Sequence, residues 1–469
     1  MFINSFRILI LCVLWGFVGW KVDLPSNFQA SEARRMAKKA WGSLPERLSF
    51  IIPVVIPDKT TVLHPPDLPL GNARPMIQSA IDKTAKAGGG KVILSEGDYF
   101  SKGPIHLRSN IQLHLEKGAK LLFSDRAEDY LPLVKVRWEG TVCWNWSPLI
   151  YAYQAENIAI TGEGEIDGHG QDWSKKWRKL QKSDQTLLRQ MGNDLIPEDQ
   201  RIFGNGILGD AGDGQMHYLR PSLIEFYECK HILLEGLTLR NSPFWTVHPV
   251  FSKNIHINRL RIFGGYLNDD GIDPDSCEDV LIENCFIQTH DDAISIKAGR
   301  DQDAWDRPGS RNIIVQNCEL ASLVNAFCIG SEMSGGVKEV FLENSRILQG
   351  KYAINFKCNL DRGGEVAQVF IRNLEIDTVS TAMLLFTMDY HSYRGNHFPT
   401  SFNHIFLQNL SCQNAGEYGF KITGVEDAPI ERVLLDRIQI EKADTNALFD
   451  HTNNIVQQKV FINGLKWKL

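Results

Sequence analysis

Beyond its first twenty residues the chain has no apolar run long enough to cross a bilayer, so any membrane or export signal lies at the N-terminus. CxxC pairs are missing, which excludes the common cysteine-based zinc and dithiol redox motifs. Charge excess is small: 50 Lys and Arg against 56 Asp and Glu leave a formal net charge of -6, an argument against a nucleic-acid partner. What remains is ordinary globular composition, 43% hydrophobic over 469 residues, with room for a large core or an extended repeat. The 11 tryptophans are numerous enough to serve either core packing or stacking on sugar rings.

The N-terminus reads MFINSFRILILCVLWGFVGWKVD. Arg7 precedes a short apolar run, the pattern of a signal-peptide core, so residues 1–22 are expected to be a signal peptide or an N-terminal anchor. Either places the protein in the periplasm, outside the cell or on its outer surface, the anchor leaving it attached to a membrane. Residues 23–69 are expected to be an N-terminal extension. Export would permit disulfides, yet Cys285 and Cys318 each follow an Asn at the same point of a recurring motif. Core positions fit that better than bridges.

The motif recurs as ILLEG at 232, IHINR at 255, VLIEN at 280, IIVQN at 313, VFLEN at 340, VFIRN at 369, IFLQN at 405, VLLDR at 433 and VFING at 460. Each is a short run of period two closed by Asn, Gly or Arg. Period two excludes a helical repeat, and intervals of 23 to 36 residues are too short for four-stranded propeller blades. A parallel β-helix remains: an all-β, single-stranded solenoid whose coils bury their apolar sides against one another. The closing Asn residues predict a polar ladder at a tight turn, because Asn tolerates left-handed geometry. A solenoid needs covered ends. Met76, Ile77, Ala80, Ile81 and Ala85 recur at helical spacing ahead of three glycines, which predicts a short capping helix. Residues 173–220 break the rhythm with a charged, helix-patterned stretch and read as an insertion into a catalytic solenoid spanning 70–469.

The stretch THDDAISIKAG places Asp291 and Asp292 side by side ahead of a strand. In a flat strand one of the two would point inward, at a high cost for an unpaired charge, so the pair belongs in a turn. Asp270 lies one repeat earlier, Asn325 about one later and Lys357 about one after that. Coils stack at about 4.8 Å, so these residues are expected to form one column. Clustered carboxylates push one pKa upward and so supply a protonated acid beside an ionised base, which is what glycoside hydrolysis needs. A calcium site and simple turn capping are the competing readings, with Lys357 counting against a cation.

At these residues the chain resembles the polygalacturonase family of glycoside hydrolases, family 28. The similarity runs from about Leu70 to the C-terminus and includes NIAITGEGEIDG, NSPFWTVHP, NDDGIDPDSC, HDDAISIKAGRD and IGSEMSGGV. The resemblance implies a right-handed parallel β-helix that cleaves α-linked galacturonic acid in pectin with inversion. It implies Asp291 as general acid, with Asp270 and Asp292 holding and activating water. Asn268 opens the motif that ends in Asp270. Asn325 stands where the family has His, and Asn355 where it has the Arg of an Arg-x-Lys pair that binds the substrate carboxylate, with Lys357 retained. Arg362 could replace that charge in part, and His290 could replace the imidazole. Tyr390 sits where the family often has a substrate-binding Tyr, and Trp245 and His248 precede the active coil.

These departures point to a specialised pectic hydrolase, acting on galacturonan or rhamnogalacturonan. The insertion favours release of terminal sugars. No metal or cofactor is expected, and a monomer is. A degenerate carbohydrate-binding β-helix and a calcium-dependent pectate-type lyase are the alternatives.

Overall fold

A computed structural model describes residues 28–66, 71–204 and 214–469. The segment expected to direct export lies outside the described residues; among the described residues no helix is long and apolar enough to cross a membrane.

The recurring motif is one face of a parallel β-helix. Ile111, Ile158, Ile232, Ile255, Val280, Ile313, Val340, Val369, Ile405, Val433 and Ile455 pair in sequence, each with its neighbour on the next coil, and all but Ile455 are buried. Period two in sequence thus becomes a continuous apolar column inside the solenoid. The last repeat departs from the expected register. Val433 pairs with Ile455, while Val460 pairs with Ile438 on the next face of the coil, so VFING at 460 is not equivalent to the earlier runs. The closing residues behave as expected: Asn284, Asn317, Asn344, Asn373 and Asn409 all have positive φ. Their amides stack, Asn409 donating to Asn373 at 2.7 Å and Asn373 to Asn344 at 2.9 Å. All eight described cysteines are unpaired and buried.

Helix Arg74–Lys86 turns Ile77, Ala80 and Ile81 onto the first coils as the cap. Gly88, Gly89 and Gly90 end it with positive φ, and a Cβ on Gly89 would lie 2.5 Å from Asn110. The solenoid begins earlier than residue 70, since Thr60–Leu63 pairs in parallel with Gly90–Leu94. The rest of the N-terminal extension is not free either. Helix Ala30–Gly42 lies against the outer face, where Phe28 and Trp41 meet the stacked rings of Phe341, Phe370 and Phe406.

The insertion is helical as expected, with a wide turn at Trp173–Trp177, then Arg178–Leu180 and Lys182–Asn193. One element is not a coil. Val134–Trp138 and Thr141–Asn145 form an antiparallel hairpin with Glu139 at its tip. Both the hairpin and the insertion line the same cavity on one side of the solenoid, and Gln185 and Arg189 of the insertion donate to Glu139 at the hairpin tip.

Candidate active site

Successive rungs fix the site. Ile272 bridges Ile294, and Ile294 pairs with Phe327. Asp270, Asp292 and Asn325 each stand two residues ahead of these partners, so they share one level on three coils. Lys357 is not in that column, because it pairs with Gly330 further along the strand. Its long side chain reaches back instead, and Nζ lies 2.6 Å from Asp292 Oδ2.

The Asp pair sits in a bend ahead of strand Ile294–Ile296, and both residues face one cavity of about 400 Å³. Asp269 builds that bend. Its Oδ1 accepts the backbone N–H groups of His290 and Asp291 at 2.9 and 2.8 Å, and its Oδ2 that of Tyr266 at 3.1 Å. The hydroxyls of Thr289 and Ser322 each donate to the Asp291 carbonyl at 2.6 Å. The turn is therefore held by hydrogen bonds to its backbone while the side chains stay available.

Asp291, Asp292 and Asp270 contribute one oxygen each within 4.8 Å of one another. Burial, then the charge of Asp292, lifts the Asp291 carboxyl to about 6. Burial would lift Asp292 too, but Lys357 and Lys297 overcome it and hold that carboxyl below its usual value. Asn325 Nδ2 donates to Asp292 Oδ1 at 2.5 Å, and the Cys328 thiol to Oδ2 at 3.0 Å. Asn355 in turn donates to Asn325 Oδ1 at 2.8 Å. Asp270 is raised by burial and by Asp273, with Lys297 opposing at 3.3 Å. A protonated carboxyl and an ionised one thus stand side by side, set apart by their neighbours.

Three oxygens at this spacing could hold a cation. Two buried ammonium groups already supply the positive charge, however, Lys357 on Asp292 and Lys297 on Asp270. A calcium ion would meet their repulsion, and the residues do not fit one.

Of the other residues anticipated from the sequence, Asn268, Lys357, Tyr390 and Trp245 line the cavity. Asn268 Nδ2 lies 3.4 Å from Asp291 Oδ2, and Lys357 Nζ sits 5.3 Å from the centre of the Tyr390 ring. Five do not line it. Asn325 and Asn355 are sealed beneath the floor as the relay to Asp292. Arg362 is fully buried, with Nη1 2.6 Å from Asp301, so it does not replace the missing Arg at the cavity surface. His248 lies between Glu225 and Asp275, which hold it against burial and carry its imidazole to about 9. His290 supplies its backbone N–H to Asp269, and its ring is not part of the lining.

Sequence reasoning missed Lys297, Glu332, Glu139 and the cations of the insertion, all of which line the cavity. Lys297 carried a signal: two residues beyond Ser295, it shares that residue's outward side of the strand. Its Nζ lies 4.1 Å over the Trp245 ring. The others come from segments distant in sequence. Arg220 ties the insertion down, donating to Gln181 Oε1 at 2.9 Å and to Asn268 Oδ1 at 2.7 Å.

A parallel β-helix with such an acid/base cluster on one face defines a carbohydrate-cleaving enzyme class. The sequence profile of the glycosyl hydrolases family 28 matches residues 202–458, and the chain belongs to that family as a polygalacturonase-like glycosidase. The solved structure of an exopolygalacturonase from Thermotoga maritima is 33% identical, with a TM-score of 0.84 over 92% of this chain and 97% of that one. That relative gives the coil its right hand. A probable polygalacturonase from Vitis vinifera is 28% identical over 78% of this chain and 70% of its own length. The exo-poly-alpha-D-galacturonosidase of Dickeya chrysanthemi is 25% identical over 72% of this chain, an alignment covering 59% of that protein.

Proposed function

We propose that the chain is an exported hydrolase of α-linked galacturonate in pectic polysaccharide, acting from a chain end with inversion. Asp291 gives its proton to the leaving glycosidic oxygen as the bond to the anomeric carbon breaks. Water held by Asp270 and Asp292 attacks that carbon, and Asp292 takes the water's proton. The observation that carries this reading is the split between neighbouring carboxyls: Asp291 raised to about 6, Asp292 held low by Lys357 and Lys297.

Inverting pairs usually stand about 6.5–9.5 Å apart to admit water. The nearest oxygens here are closer, within 4.8 Å, and distance alone would favour a covalent intermediate. Inversion is supported instead by membership of family 28. The anomeric configuration of the first product, followed by NMR, separates the two outcomes. Exo action is supported by the insertion, which supplies Arg178, Gln181, Lys182, Gln185 and Arg189 to one side of the cavity, and by the exo activities of the Thermotoga and Dickeya relatives.

The test is incubation of the full chain with galacturonan and rhamnogalacturonan oligosaccharides, alongside Asp291→Asn and a chelator-treated sample. One released sugar, lost in Asp291→Asn and indifferent to chelator, supports the proposal and identifies the substrate. Unsaturated products absorbing in the ultraviolet overturn it in favour of a lyase. Binding without cleavage overturns it in favour of a carbohydrate-binding β-helix.

A further inference from the structure

Four of the arginines and lysines around the cavity are already engaged. Lys357 lies 2.6 Å from Asp292, Lys297 3.3 Å from Asp270, Arg300 2.9 Å from Glu332 and Arg189 2.6 Å from Glu139. Asn355, where the resemblance places a substrate-binding Arg, is a neutral amide beneath the floor, and Arg362 is spent on Asp301. Two cations remain. Arg178 and Lys182 line the cavity with no carboxylate in ion-pair range among the described residues, and Lys182 Nζ meets just the side-chain oxygen of Gln185 at 3.2 Å. Four residues apart on consecutive helical segments, they lie on neighbouring turns of the insertion. Their placement is fixed from between: Gln181 is buried and accepts from Arg220, which also holds Asn268 beside Asp291.

We infer that Arg178 and Lys182 form the uronate-binding site of this enzyme, taking over on the insertion the carboxylate recognition that the Asn at 355 cannot perform. A substrate carboxylate at the cavity wall meets a planar guanidinium and an ammonium that no carboxylate among the described residues neutralises. The acidic groups on the floor would repel that carboxylate, which orients the sugar with its acid toward the insertion and its glycosidic bond toward Asp291. The inference rests on the proposed hydrolysis of galacturonate, and its test separates the two.

In the full chain, Arg178→Gln with Lys182→Gln is compared with the parent on a short oligogalacturonate and on its methyl ester. Both cations are exposed to water, so the preference for the free acid, read as a ratio of kcat/KM values, is expected to fall about tenfold. Added salt should raise KM for the parent and do so less for the variant, a response that a merely structural role would not move. Arg178→Lys should restore part of the preference. The same pair of substitutions in the Asp291→Asn background, titrated with oligogalacturonate by calorimetry, reads binding without turnover. If the parent does not cleave but the double substitution still weakens binding about tenfold, the uronate site stands and the hydrolase reading falls. If the double variant keeps the parent's acid preference, salt response and affinity, or if oligogalacturonate does not bind at all, the inference is overturned.

Discussion

Lys357 Nζ lies 2.6 Å from Asp292 Oδ2 although the two residues sit at different levels of the coil. The ammonium is buried and holds the carboxylate ionised, the state a general base requires. Lys357→Met removes that charge and leaves Asp292 buried beside Asp291. We expect kcat to fall by about 10²–10³, with the acid limb of the pH profile moving upward because the Asp292 carboxyl rises. Steady-state kinetics across pH checks both.

The proposed roles, Asp291 as the acid and Asp292 as the base, fix a bell-shaped profile. Below the usual carboxylate range Asp292 gains a proton; above about 6 Asp291 loses one. We expect kcat/KM to be highest in mildly acid solution and to fall about tenfold per pH unit beyond the upper limb. Asp291→Asn should abolish the activity, and an upper limb well above neutrality would remove Asp291 from the role.

The relay from Asn355 through Asn325 to Asp292 Oδ1 holds Asp292, the proposed base, in orientation. Asn325→Leu leaves that oxygen without its donor, and a loss of about 10–100-fold in kcat is expected, with the acid limb raised. Asn355→Ala should do less, because Asn325 keeps its bond to Asp292.

His248 makes stability depend on pH. Its imidazole is carried to about 9 by Asp275 and Glu225, above its ordinary value of 6.5. The folded state therefore holds a proton that the unfolded state releases, so the stabilisation is fully present below about 6.5 and disappears as pH rises through about 9. Thermal unfolding should show the melting temperature dropping between pH 7 and 9, and His248→Gln should be less stable at pH 7 with a flatter profile over that range.

Trp41 fastens the N-terminal helix to the solenoid. Its ring meets Phe341 edge-on at 5.3 Å, with the Arg372 guanidinium 3.9 Å from its centre. Trp41→Ala is expected to cost about 3 kcal/mol, measured by chemical denaturation. An unchanged midpoint would mean that the helix contributes nothing to the stability of the solenoid.

Much of this was legible in the chain itself. Strand period and closing Asn residues define the solenoid because side chains alternate along a strand and Asn accepts left-handed geometry, both local rules. The Asp270, Asp291 and Asp292 cluster was legible for the same reason, since the repeat length converts sequence separation into stacking. The register of the last coil was not, because VFING and IVQQK offer similar alternation and pairing with the preceding coil chooses between them. Side-chain reach was equally hidden. Asn325, Asn355, Arg362 and His248 read as substrate-site candidates in the chain, and burial makes them supports.

The sequence alone determined the repeat, the capping helix, the turn that carries the Asp pair and the column of Asp270, Asp292 and Asn325, all consequences of local conformation and fixed spacing. The tertiary structure decided which charges neutralise one another, that Lys297 and Lys357 reach across rungs to the carboxylates, and that a hairpin and an insertion from elsewhere in the chain close over them. Those outcomes depend on distances of a few ångströms between segments far apart in sequence, and on burial strengthening each Coulomb interaction there.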